Sequence, residues 1–110
     1  MQEKTEPFNI EAERSVLGSM LIDNETIRFV TDSLGKNDFY VVSHRHIFET
    51  IVNVYDKQNG VDLVILKDAL IKRSLLEKVG GVKYIMKLEE SVPSVSNVVY
   101  YAEIVQEKAI

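Results

Sequence analysis

At 110 residues the chain has the length of one domain, and its lack of cysteine excludes a disulfide framework, a thiolate nucleophile and a Cys-ligated zinc. Its 45% hydrophobic and 27% charged content is that of an ordinary globular protein rather than a disordered one. The net charge of -4 arises in residues 1–60, with 6 Lys+Arg against 10 Asp+Glu, while residues 61–110 balance at 7 against 7, so neither half carries the basic stripe with which nucleic-acid-binding domains grip phosphates.

The opening "MQEKTEPFNI" has neither an apolar h-region nor a small-residue cleavage site. No later run approaches the roughly 20 apolar residues of a membrane span. A cytoplasmic protein without a membrane partner is expected, with residues 1–8 as a flexible tail and 9–110 as one helical domain. Asn9 predicts the cap of a first helix, with Glu11 and Glu13 at its positive end and Val16, Leu17, Met20 and Leu21 at helical spacing. Gly18 within that helix predicts close approach of another backbone. Asn24 predicts the cap of a second helix presenting Ile27, Val30 and Leu34, which Gly35 ends.

"DFYVVSHRHIF", Asp38 to Phe48, concentrates three of the nine aromatics and both histidines. Ser43 predicts the cap of a third helix whose apolar arc holds Ile47, Phe48, Ile51, Val54 and Tyr55. This helix is expected to be central, with Phe39 and Tyr40 sealing its start. His44 and His46 are two apart and so point to different faces, which excludes a joint metal grip. His44 falls within the apolar arc, without a spaced nucleophile or carboxylate to make it a base, and is read as a hydrogen-bonded core residue. The expected core centre is Leu17, Leu21, Phe39, His44, Ile47, Phe48 and Ile51.

Further along, Gly60 closes the third helix and Asp62 caps a fourth that buries Ile65, Leu66, Ala69 and Leu70. "SLLEKVGG" reads as a turn of helix and a glycine hinge. "VKYIMKLEESV" is a fifth helix halted by Pro93, and "SVSNVVYYAEIVQEKAI" runs helically to Ile110 with Val98, Ala102, Val105 and Ala109 inward. The last pattern stops without a terminator, as in a chain cut from a longer one. The whole predicts an all-α bundle of about six helices, with no internal repeat or linker.

No motif supports catalysis. GxGxxG and GxSxG are absent; Gly35-Lys36 is the only Gly-Lys pair, and Val30 stands where a phosphate loop needs its first glycine. Glu89 and Glu90 are adjacent and point apart, as on a solvated face. No catalytic, metal or cofactor residue is expected. Apolar residues in surplus mark a contact surface: Val82 and Met86 on the fifth helix, Tyr100 and Ile104 on the sixth, form pairs away from each helix's buried stripe. They are the candidates for self-association. "DLVILKDALIKRSLLEKVGG" also has the rhythm of a helix-turn-helix, so a free-standing DNA-binding module is the alternative. Asp62, Asp68 and Glu77 offset its Lys67, Lys72, Arg73 and Lys78, which argues against a groove-reading helix.

Five stretches in order, "NIEAERSVLGSMLID", "DFYVVSHRHIF", "GVDLVILKDAL", "LLEKVGGVKYIMKL" and "VPSVSNVVYYAEIVQEKA", make the chain resemble the N-terminal domain of the bacterial replicative DNA helicase, the DnaB family. The likeness covers about residues 8–110. Where relatives often place Pro or Ala before the histidine, this chain has "VVSH". The resemblance implies a non-catalytic collar domain that dimerises within a hexameric ring and docks primase, with a helicase loader as a further partner. ATP, Mg and single-stranded DNA are implied for a motor domain outside these residues. Truncation at Ile110 is expected to remove part of the dimer interface.

Overall fold

A computed structural model describes residues 8–109; of the tail expected over residues 1–8 only Phe8 falls within them, and Ile110 lies outside. Six helices follow one another: α1 (Ile10–Ile22), α2 (Thr26–Ser33), α3 (Val42–Gln58), α4 (Leu63–Lys72), α5 (Gly81–Glu90) and α6 (Val98–Lys108). Short 3-10 turns at Lys36–Asp38 and Val95–Asn97 precede α3 and α6, and no strand occurs among the described residues. The expected all-α fold is the observed one. None of these helices is long and apolar enough to cross a membrane.

Two caps form as the sequence predicts. The Asn9 side chain accepts the Ala12 N–H at 2.9 Å, and the Asp62 carboxylate accepts that of Ile65 at 2.9 Å, each satisfying an amide left without an intrahelical partner. Two others do not. Asn24 donates its amide to Met20 O and Val61 O, and accepts the Val61 N–H at 3.0 Å, so it ties the end of α1 to the loop before α4 instead of capping α2. Ser43 lies inside α3, whose N-cap is Val41 without a side-chain bond. At the boundaries, Leu34 rather than Gly35 terminates α2, and Asn59, in the left-handed region at φ 62°, rather than Gly60 terminates α3.

The centre of the bundle is α1, not α3. Helices α2, α3, α5 and α6 all pack on α1, and every residue from Ala12 to Leu21 is buried except Arg14. Small residues at Ser15, Gly18 and Ser19 leave room for these neighbours, and both serines are buried. Gly18 is the tightest point: a Cβ there would stand 2.1 Å from the Leu88 carbonyl oxygen of α5. Gly80 is constrained differently, by a φ of 108° and by Tyr84 Cβ, which would lie 2.8 Å from an added Cβ.

Leu17, Leu21, Phe39, Ile47, Phe48 and Ile51 are buried together, with the Phe39 and Phe48 rings 5.0 Å apart. In α4, Leu66 and Leu70 are fully covered while Ile65 and Ala69 are only half-buried. In α6 the inward stripe is Val98, Ala102 and Val105, and Ala109, expected to continue it, is exposed because the helix ends at Lys108. Residues 75–79 close one turn, Val79 N–H to Leu75 O at 3.0 Å, and then give way to the glycines. A helix-turn-helix would need a second helix there, so that alternative loses its geometry.

Lys36 and Arg73 both reach the Glu49 carboxylate, at 3.0 and 3.3 Å, linking the turn before α3 to the end of α4. The Lys36 hydrogen bond, followed by that of Arg73, holds Glu49 below its ordinary value of 4.5 against an opposing effect of burial.

Replacement of Gly18 with Ala forces α5 away from α1 at a backbone atom that cannot rotate aside, and is expected to cost about 3 kcal/mol or more. Phe48→Ala leaves a cavity worth about 3–5 kcal/mol. Thermal melts followed by circular dichroism should show both variants well below wild type, and an unshifted Gly18→Ala midpoint would contradict the close approach described above.

Candidate functional site

The polar group of greatest consequence in the interior is built from three helices. Glu13 of α1 is 2% exposed and His44 of α3 is 0% exposed. A buried carboxylate is tolerated only when its lone pairs are used, and those of Glu13 are. Oε2 accepts the Tyr40 N–H at 2.7 Å; Oε1 accepts the Val41 N–H at 3.3 Å and His44 Nδ1 at 2.7 Å. The two amides belong to the chain entering α3, so Glu13 anchors from another helix the segment that leads into α3.

The pattern assigns the tautomer of His44. Both carboxylate oxygens already receive backbone N–H groups, so Nδ1 carries its proton and donates to Glu13. The other ring nitrogen faces the Tyr84 hydroxyl of α5 within hydrogen-bonding distance. Burial pushes the Tyr84 phenol above its ordinary value of 10.0; Arg14 pulls it back and the Glu13 carboxylate adds to the rise. Tyr84 therefore keeps its proton and donates it to Nε2. The imidazole is saturated at both nitrogens, and neither Glu13 nor Tyr84 leaves it a free site for a substrate. The dense "DFYVVSHRHIF" stretch is accordingly a structural junction: Phe39 and Phe48 fill the core, His44 joins three helices, and Arg45 turns back to donate to Phe39 O at 2.6 Å. Tyr40, expected as a seal, instead is exposed and stacks on Phe8 at 4.2 Å.

Glu13 was not legible as a member of this group from its position in an acidic first turn. Its signal lay in the wheel: Glu13, Leu17 and Met20 share one face, so the carboxylate stands on a stripe that must be buried.

The surface candidates divide. Met86 is 47% and Tyr100 is 64% exposed, whereas Val82 is half-covered and Ile104 packs against the core. They do not compose one patch on adjacent helices, because α5 and α6 each pack on α1 and share no substantial interface with one another.

Breaking the junction has two measurable outcomes. Glu13→Ala strands buried donors and is expected to cost about 3–5 kcal/mol. Tyr84→Phe leaves Nε2 without its donor and is expected to cost about 1–3 kcal/mol at neutral pH. The phenol also links stability to alkaline pH. Its folded value is raised, so its contribution is full below the unfolded value of 10.0 and is lost as pH climbs from there through the higher folded value. Denaturant titrations across that range should show wild type losing more stability than Tyr84→Phe; equal losses would remove Tyr84 from the junction.

The family model for the DnaB-like helicase N terminal domain matches residues 5–107. The chain is 39% identical over 108 residues to the replicative DNA helicase DnaB of Geobacillus stearothermophilus, covering 98% of this chain and 24% of that protein. It is 37% identical over 110 residues to the replicative DNA helicase DnaC of Bacillus subtilis (strain 168), again 24% of that protein. The chain thus spans about a quarter of the length of these curated relatives. Its fold matches the crystal structure of the N-terminal domain of DnaB helicase from Mycobacterium tuberculosis with a TM-score of 0.92 at 37% identity, covering 96% of this chain and 76% of that one. With likeness in sequence and in backbone running almost end to end, the chain belongs to the DnaB-like helicase N terminal domain family.

Proposed function

We propose that this domain is the non-catalytic collar of a cytoplasmic replicative DNA helicase, supporting assembly of a hexameric ring and docking primase during DNA replication. The observation that carries this reading is the match to helicase N-terminal domains over 96% of the chain. In this reading ATP, Mg and single-stranded DNA are handled by a motor domain in the part of the protein that the longer relatives possess, and a helicase loader is a further partner. The residues at hand agree with that division of labour: the sequence has no phosphate loop, and the buried histidine is spent on structure. Nothing in the α4–α5 region favours the helix-turn-helix alternative.

Within the collar reading, Val82 and Met86 on α5 and Tyr100 and Ile104 on α6 are the candidates for contact between copies. A ring built as a trimer of dimers needs two different interfaces on each copy, one within the dimer and one between dimers. Two apolar pairs on helices that pack on α1 without a substantial interface between them suit that requirement. Met86 and Tyr100 supply the exposed part of each pair.

Two experiments test the proposal. The 110-residue chain should neither hydrolyse ATP nor bind a labelled single-stranded oligonucleotide at physiological salt by fluorescence anisotropy; micromolar binding that weakens steeply with salt would favour a DNA-binding module. In the full-length helicase, Met86→Glu and Tyr100→Glu should each weaken assembly in sedimentation runs while leaving the helical circular dichroism unchanged. Intact hexamers from both variants would take these residues out of the interface.

A further inference from the structure

Beyond the collar reading, and independent of it, one surface combines a preformed apolar groove with charges of a single sign. Helices α2 and α6 enclose a groove of about 280 Å³. Phe29 of α2 and Val99 of α6 form its walls and remain 64% and 50% exposed. The charged residues along it are Asp32 and Glu103, and neither carboxylate is in an ion pair among the described residues. Phe29 and Asp32 also line the neighbouring cleft, where Glu25 adds a carboxylate and Arg28 a single cation. The walls do not depend on an occupant. Val30, Val98 and Ala102 below are buried in the core, and the Gln106 side chain donates to Ser33 O at 3.2 Å across the two helices.

We propose that this groove docks an amphipathic helix of a partner protein, one whose apolar anchors lie between Phe29 and Val99 and whose flanks carry Lys or Arg. The α6 side of the groove, lined from Val98 to Gln106, runs about 12 Å, which accommodates the anchors of two turns, and helix-in-groove recognition uses such i, i+3, i+4 and i+7 side chains. The choice of partner rests on charge complementarity. Asp32 and Glu103 lower their energy opposite cations, and matched potentials steer such an encounter. A second copy of this chain would instead bring its own Asp32 and Glu103 against these. A nucleic acid or an anionic membrane would present phosphates to them.

The probe is a short helical peptide of leucines at i, i+3, i+4 and i+7 with lysines elsewhere, compared with the same peptide carrying glutamates in place of the lysines. The Leu/Lys peptide should shift the backbone amide resonances of α2 and α6, and its affinity should fall as salt is raised. Phe29→Ser and Val99→Ser, both at exposed positions, should each weaken binding by about tenfold or more with the circular dichroism unchanged. Asp32→Asn combined with Glu103→Gln should weaken the Leu/Lys peptide and abolish its advantage over Leu/Glu. Equal binding of the two peptides, resonance shifts confined to other helices, or affinities untouched by the groove variants would overturn the proposal. So would concentration-dependent self-association that Phe29→Ser and Val99→Ser abolish in the absence of peptide, since a second copy would then be the occupant.

Discussion

The arrangement of this domain depends on one buried carboxylate. Glu13 sits on the face of α1 that meets α3, and a charge withdrawn from water there is sustained only by the donors converging on it: two backbone amides at the start of α3 and the protonated nitrogen of His44. Those donors belong to a segment that has no side-chain cap of its own. The carboxylate and the segment therefore specify each other's position, and the Tyr84 hydroxyl extends the same constraint to α5. Three helices distant in sequence acquire a fixed relative register from three side chains and two backbone amides. Apolar burial alone is less exacting, because it tolerates sliding of one smooth face over another.

Close approach supplies the second constraint. Gly18, one turn and a residue beyond Glu13 on α1, lets the Leu88 carbonyl of α5 come within a distance that any side chain would forbid. On its other sides α1 receives α2, α3 and α6. A helix contacted by four others has almost no surface left for partners. On the peripheral helices α2, α4, α5 and α6, large apolar side chains such as Phe29, Val64, Met86 and Tyr100 stand exposed.

This distribution agrees with a domain that works by being held and by holding others. Its buried Glu13 and His44 side chains are committed to internal bonds, and its outward surfaces carry apolar anchors and, at Asp32 and Glu103, carboxylates in no ion pair among the described residues. In the proposed collar, such surfaces would serve assembly. The α2–α6 groove adds a distinct proposed partner, a cationic amphipathic helix, defined by the chemistry of Phe29, Val99, Asp32 and Glu103 alone.

Much of this was legible in the amino-acid sequence where the determining interaction is local. Helical periodicity, the Asn9 and Asp62 caps, the stop before Pro93 and the meaning of Gly18 are set within a few residues of chain, and an all-α bundle with Leu17, Phe39, Ile47 and Phe48 inside follows from them. Absence of a phosphate loop and of a basic stripe is likewise a property of sequence. The tertiary structure decided whatever depends on a partner far along the chain. Asn24 left its expected cap for Val61, and Glu13 came to hold the Val41 amide ahead of α3 across 28 positions of sequence. Similarly, α1 rather than α3 became central, and α5 and α6 came to pack on α1 without a substantial interface between them. A side chain's local pattern says which face it occupies; only the packed fold says which distant backbone amide or helix that face will meet.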